Sequence, residues 1–233
     1  VRFSLNCILT LLSFLLLANH AQAGMFTWVR WLNPAVKVCF ANPVPDSKEK
    51  YKRAPWTEEK KLQVQRWIEE EYSASRTGVH FVGFQDCVRG DRSKVIINYR
   101  KKLSLGLGGI TWASATVGEQ LSFVSKDFPG AVSEVHFFVG GFDKATVVHE
   151  FGHVAGLYHE HDHPQAQGCS VRTEDNKELV YVRGYTEYDR ESVMSYCVTR
   201  EFKDRGLSAG DILTLRLMYI INVSPPPEPT ILR

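Results

Sequence analysis

Beyond residue 23, this 233-residue sequence has no apolar run long enough to cross a membrane, which takes about 18–20 residues. It has no excess of one charge either. Lys+Arg number 28 against 26 Asp+Glu, and the basic residues are scattered, so nothing here makes an electrostatic footprint for nucleic acid. Cysteine is sparse: five residues are too few for a disulfide-dense mini-protein, and none shows zinc-ribbon spacing. The glycine-rich stretch Leu105–Gly109 lacks the Lys-Ser/Thr of a phosphate loop, and no D-x-D-x-D-G calcium loop exists. There is no internal repeat. With 44% hydrophobic and 23% charged residues, a disordered or collagen-like chain is excluded.

What is present begins with an export signal. Arg2 supplies a positive start, Cys7–Ala18 is apolar, and Ala21-Gln22-Ala23 is an A-x-A cleavage pattern. Residues 1–23 are therefore read as a cleaved secretory signal, which implies a secreted or periplasmic protein with no membrane association in its mature form. Removing Cys7 leaves Cys39, Cys87, Cys169 and Cys197. An even number in an exported chain favours disulfides. Of the three possible pairings, Cys39–Cys87 with Cys169–Cys197 is preferred, because each bridge then stays within one half of the chain.

The pattern of apolar residues predicts strands at 36–40, 79–84 and 95–99, possible short ones at 110–117 and 120–124, and a stronger one at Glu134–Val139. Helices are expected at 58–73, capped by Thr57 with a stripe of Leu62, Val64, Trp67, Ile68 and Tyr72, and from Lys144 to Gly156, capped by Asp143 and apolar all round, hence buried. Ser208–Asp211 resembles a capping box opening a last helix through Tyr219. Tyr158–Thr186 is polar and irregular, and Ser224–Thr230 is a Pro-rich tail. The expected class is α/β (α+β), in one folded unit over 24–222 with subdomains of about 24–158 and 159–222, followed by a tail over 223–233.

The chemistry concentrates in His149-Glu150-Phe151-Gly152-His153-Val154-Ala155-Gly156-Leu157-Tyr158-His159. On a helix, residues i and i+4 share a face, so His149 and His153 can hold one ion between them. Glu150 sits beside the first ligand without being one. Gly156 can adopt positive φ and turn the chain so that His159 returns to the same ion. Three imidazoles leave an open position, which a catalytic zinc requires.

This stretch resembles the metzincin metalloprotease signature H-E-x-x-H-x-x-G-x-x-H, and Ser192–Tyr196 resembles the Met-turn of the same clan. Within it, the astacin family is most similar. Glu160 follows the third His, Tyr196 lies two residues after Met194, and 185–194 and 207–219 look like the segments around and after that turn. Gly118–Phe123 is a fainter likeness. The sequence departs from the astacin pattern at His163, Gln165 and Ser195, where Arg, an acid and His are usual.

The resemblance implies a metzincin-like fold: a twisted mixed sheet with a backing helix and a zinc-site helix, and a smaller irregular C-terminal subdomain with a terminal helix. It implies one Zn²⁺ on His149, His153 and His159. Glu150 would be the general base acting on a zinc-activated water, with Tyr196 either assisting the oxyanion or occupying the metal as a fifth ligand before substrate enters, and Met194 forming a packing floor. Glu160 would be a buried structural anion. The edge strand that pairs with substrate is assigned to Glu134–Val139. His161, Asp162 and His163 are read as a solvated loop, with a second metal site as the alternative. The expected activity is that of an exported zinc endopeptidase acting as a monomer on protein or peptide substrate. The alternatives are a zinc-bearing peptide-binding protein without turnover, or a narrow-specificity processing peptidase.

Overall fold

The computed structural model describes residues 25–26, 30–43, 53–88, 93–100, 113–116, 131–139, 142–163, 165–166, 183–184, 188–196 and 202–221. The signal segment, the glycine run at 105–109, the possible strand at 120–124, the Cys169–Cys197 pairing and the Pro-rich tail lie outside them.

In chain order the strands are β1 (Met25–Phe26), β2 (Ala35–Ala41), β3 (His80–Asp86), β4 (Val95–Arg100), β5 (Ala113–Ala115), β6 (Ser133–Phe138) and β7 (Arg183–Gly184). The helices are α1 (Glu58–Tyr72), α2 (Ala74–Thr77), α3 (Lys144–Val154) and α4 (Ala209–Tyr219), with 3₁₀ turns at Glu160–Asp162 and Phe202–Asp204. Five strands form a mixed sheet in the order β3-β2-β4-β6-β5, parallel except for β5 against β6, while β1 and β7 make a separate antiparallel pair. This is the expected mixed α/β class. Among the described residues no helix is long and apolar enough to cross a membrane.

Alternation along the strands builds the core. Val36, Val38 and Phe40 on β2, Val95, Ile97 and Tyr99 on β4, and Val135 and Phe137 on β6 share one buried cluster. α1 lays Val64, Ile68 and Tyr72 on that face, and α3 adds Ala145, Val147, Val148, Phe151 and Val154. All of β4 is buried, as expected of a central parallel strand covered on both faces. Cys39 and Cys87 are bridged, with Cα atoms 5.0 Å apart, as the preferred pairing required. A closed loop of 48 residues makes this worth about 4 kcal/mol in the chain-entropy account.

Two expectations are corrected here. Glu134–Val139 does not form the sheet edge, because β6 is flanked by β4 on one side and by the short β5 on the other. Among the described residues the outermost strand on that side is Ala113–Ala115. Leu62 is not part of the inward stripe of α1: it is 60% exposed, while Lys61 and Glu71 turn in beside Val64, Ile68 and Tyr72. The interior accepts those charges because they are paired. Lys61 meets Asp86 and Glu58, and Glu71 meets Lys144 at 2.8 Å and receives the Leu207 N–H at 3.1 Å.

Candidate metal centre

α3 carries two of the three imidazoles. Asp143 caps it, its Oδ1 accepting from the Thr146 N–H at 2.8 Å. Every residue from Val147 to Val154 is buried, so the helix runs through the core. It stops in a Schellman turn. Gly156 has φ +97°, its N–H donates to the His153 carbonyl at 2.8 Å, and the Leu157 N–H donates to Gly152 at 2.8 Å. Two carbonyls left over at the end are taken by side chains from distant segments. Trp31 Nε1 donates to Val154 at 2.7 Å, and the Tyr219 hydroxyl donates to Ala155 at 2.9 Å.

That turn does chemical work. It presents the Leu157 carbonyl to His153 Nδ1 at 2.9 Å. A carbonyl can only accept, so Nδ1 carries the proton and Nε2 keeps its lone pair. His149 is fixed in the same way by the Val193 carbonyl, 2.9 Å from its Nδ1. The chain then returns His159, whose Nε2 lies 3.0 Å from His153 Nε2. One ligand atom from each of His149, His153 and His159 can be chosen so that all lie within 4.8 Å of one another. Ligands of a tetrahedral zinc, at about 2.0–2.1 Å from the metal, stand roughly 3.3 Å apart. The donor set therefore fits zinc: three neutral imidazoles, those of His149 and His153 with their second nitrogens anchored, on a buried scaffold.

Burial holds these rings neutral. It pushes His149 down to about 3 and His153 down to about 4, and His159 is depressed by the same cause. Glu150, beside them, moves the other way: desolvation pushes its carboxyl up to about 8. Its Oε2 is buried without a hydrogen-bond partner among the described residues, the mark of a group meant to meet something else.

Met194 is 1% exposed and lies under α3. A Cβ on Gly152 would sit 2.5 Å from Met194 Sδ, so the residue between the two α3 histidines must be small for the turn to approach. Tyr196 closes the rim. It is 44% exposed, its ring stacks on His149 with centroids 5.0 Å apart, and its hydroxyl donates to His149 Nε2 at 3.2 Å. Tyr196 is thus a half-exposed phenol directly on the imidazole cluster. Glu160 is fully buried; its Oε1 accepts from the Asp189 N–H at 2.7 Å and its own N–H donates to the Met194 carbonyl at 3.1 Å.

The loop after Glu160 overturns the expectation of a solvated segment. His161 and His163 are buried, and His161 stacks on His159 and packs tilted against Tyr196, with centroids 4.7 Å apart in each case. His159, His161 and Asp162 form a second group with ligand atoms in reach of one another, sharing His159 with the first. Sequence reading also missed Val193, Leu157 and Gly152. Carbonyl anchors leave no trace in residue type. The small residue at 152 was the one signal that could have been used.

No protein-family model matches the chain, and no curated protein matches it by sequence. Among solved structures the chain is similar to high choriolytic enzyme 1, a hatching enzyme zinc-protease from Oryzias latipes (medaka fish), at 15% identity and a TM-score of 0.47, covering 83% of this chain and 94% of that one. It is also similar to myroilysin, at 19% identity and a TM-score of 0.47, covering 82% of each chain.

Proposed function

We propose that the chain is an exported zinc-dependent endopeptidase of the astacin-like kind, with His149, His153 and His159 holding one Zn²⁺ and Glu150 as the general base. The observation that carries this reading is the convergence of three imidazoles, two of them anchored through Nδ1, beside a buried carboxylate oxygen that has no partner among the described residues. A zinc ion held there supplies Lewis-acid activation of a water and stabilises charge that develops on the scissile carbonyl.

The remaining work belongs to the chain. Glu150 accepts a proton from the attacking water and delivers it to the departing amine nitrogen. A carboxyl raised toward neutrality by burial is suited to both halves of that exchange. Tyr196 directs its hydroxyl into the same space from the rim and donates to the oxyanion as the carbonyl becomes tetrahedral. Desolvation raises its phenol well above the ordinary range, so it remains a donor at working pH. Among the described residues nothing pairs with the outer edge of β5, and an extended peptide laid there would continue the antiparallel pairing that β5 makes with β6. Protein or peptide is the substrate class, and a monomer is sufficient.

The decisive experiment compares parent, Glu150→Ala and His153→Ala in zinc content and peptide digestion. Glu150→Ala should keep zinc and lose hydrolysis by about 10²–10⁴-fold, the usual worth of a general base. His153→Ala should lose the metal. Equal hydrolysis by Glu150→Ala and parent would remove Glu150 from the mechanism.

A further inference from the structure

Asp211 is the third residue of α4 and closes its capping box: the Ser208 hydroxyl accepts from the Asp211 N–H at 3.0 Å, and Asp211 Oδ2 accepts from the Ser208 N–H at 3.0 Å. A capping residue needs no more than that. Asp211 nevertheless spends most of its acceptor capacity on the turn beneath the imidazoles. Oδ2 also takes the Val193 N–H at 3.0 Å, and Oδ1 takes the Ser192 hydroxyl at 2.7 Å.

The hydrogen bonds run in one sense. His149 Nδ1–H donates to the Val193 carbonyl at 2.9 Å. That carbonyl and the Met194 N–H are the two ends of a single peptide group. The Met194 N–H donates to Ser192 Oγ at 3.0 Å, and Ser192 Oγ–H donates to Asp211 Oδ1 at 2.7 Å. Each donor points toward the carboxylate, so each bond polarises the next in the same direction. Ser192, Val193 and Asp211 are fully buried and Met194 is 1% exposed, so water does not screen the chain. Metal-binding histidines commonly give their second N–H to a carboxylate, which fixes the tautomer and raises ligand basicity. Here a hydroxyl and one peptide group stand between the two.

We propose that Asp211 is the distal carboxylate of a carboxylate–histidine–metal relay, acting through the Ser192 hydroxyl and the Val193–Met194 peptide to fix the tautomer of His149 and strengthen its Nε2 as a donor to a divalent cation. Asp211 is a positioning residue that touches neither substrate nor metal. The proposal rests on the reading of His149 as a ligand.

Three variants of the full mature chain separate the relay from ordinary support. Ser192→Ala cuts it while leaving the Asp211 bonds to Val193 and Ser208 in place. Asp211→Asn removes the charge. Ser208→Ala removes the helix cap, together with the 2.6 Å bond from the Ser208 hydroxyl to Asp189, and leaves the relay whole. The measurements are zinc affinity against a competing chelator and the NMR shift of the His149 Nδ1 proton in the zinc-loaded protein. Ser192→Ala and Asp211→Asn should each weaken zinc binding by about 10-fold or more and move the Nδ1 proton upfield, in the range found for outer-shell partners. Ser208→Ala should lower the melting temperature while keeping zinc affinity within about 2-fold, well below that range. Should Asp211→Asn fail to fold, Ser192→Ala carries the test alone. Parent-like affinity and shift in Ser192→Ala, or a loss in Ser208→Ala as large as in Ser192→Ala, overturns the relay. A parent that takes up no zinc overturns the ligand reading and the relay with it.

Discussion

α3 and the Ser192–Tyr196 turn face each other across the same rings, yet different forces hold them. α3 is locked by apolar contact: Phe151 meets Phe81 edge to face with centroids 4.8 Å apart, and Val147, Val148 and Val154 are fully buried. The turn has no regular secondary structure and is positioned by buried carboxylates. Glu160 takes the Asp189 N–H, Asp189 takes the Ser208 hydroxyl and the Glu191 N–H, and Asp211 takes the Ser192 hydroxyl and the Val193 N–H. Apolar packing sets where a ligand sits but not which nitrogen is protonated; hydrogen bonds to fixed acceptors do that. The site therefore needs both sides, and damage to each should look different.

Phe151→Ala should produce the largest effect on folding, a loss of about 3–5 kcal/mol seen as a lower urea midpoint, because it opens a cavity in the packed half. Metal affinity in the fraction that stays folded should change little. If affinity instead collapses at full folding, the division between the two sides is wrong. Glu160→Gln should act in the opposite pattern. It costs about 1–3 kcal/mol by weakening a buried acceptor, and it should loosen the turn enough to weaken zinc binding at equal stability.

The pH response of the metal-free protein tests the α3 side by itself. His149 and His153 titrate at about 3 and about 4 when folded against 6.5 as free groups, so the unfolded chain binds more protons as pH falls below 6.5, and stability drops. Glu150, raised from 4.5 to about 8, works in reverse: it lowers stability as pH rises between those values. Between about pH 4.5 and 6.5 two histidines oppose one carboxyl, for a net loss of about 1.4 kcal/mol per unit of acidification, and the depressed His159 adds to it. Above pH 6.5 only the Glu150 contribution remains. Thermal melts in chelator should therefore peak near pH 6.5; stability that rises steadily through pH 8 would contradict the burial of Glu150. At the small end, Leu62→Gln on the exposed face of α1 should shift stability by less than about 0.5 kcal/mol, and a larger loss would mean that something covers Leu62.

Much of this was legible in the residues. His149, Glu150 and His153 can be read because helical periodicity is local, and Gly156 announces its own turn. Thr57, Asp143 and Ser208 mark helix starts for the same reason, and all three make the expected bonds. What escaped the sequence depends on partners far along the chain. β5 is three residues long, too short to carry an alternation that would identify it as the edge. Lys61 and Glu71 read as surface charges until Asp86, Lys144 and Leu207 arrive. His161 and His163 lie in a run as polar as any exposed loop, and the first of them is packed against the rings of His159 and Tyr196.

The placement of Asp211 bears on how the protein is made. A chain growing from its N-terminus has all three imidazoles and Glu150 in hand long before the residue that secures the floor beneath them. Until α4 has emerged and docked, the Ser192 hydroxyl and the Val193 N–H lack the carboxylate that they engage in the folded chain. The turn beneath His149 is thus completed only by the last helix of the described chain, more than fifty residues after His153.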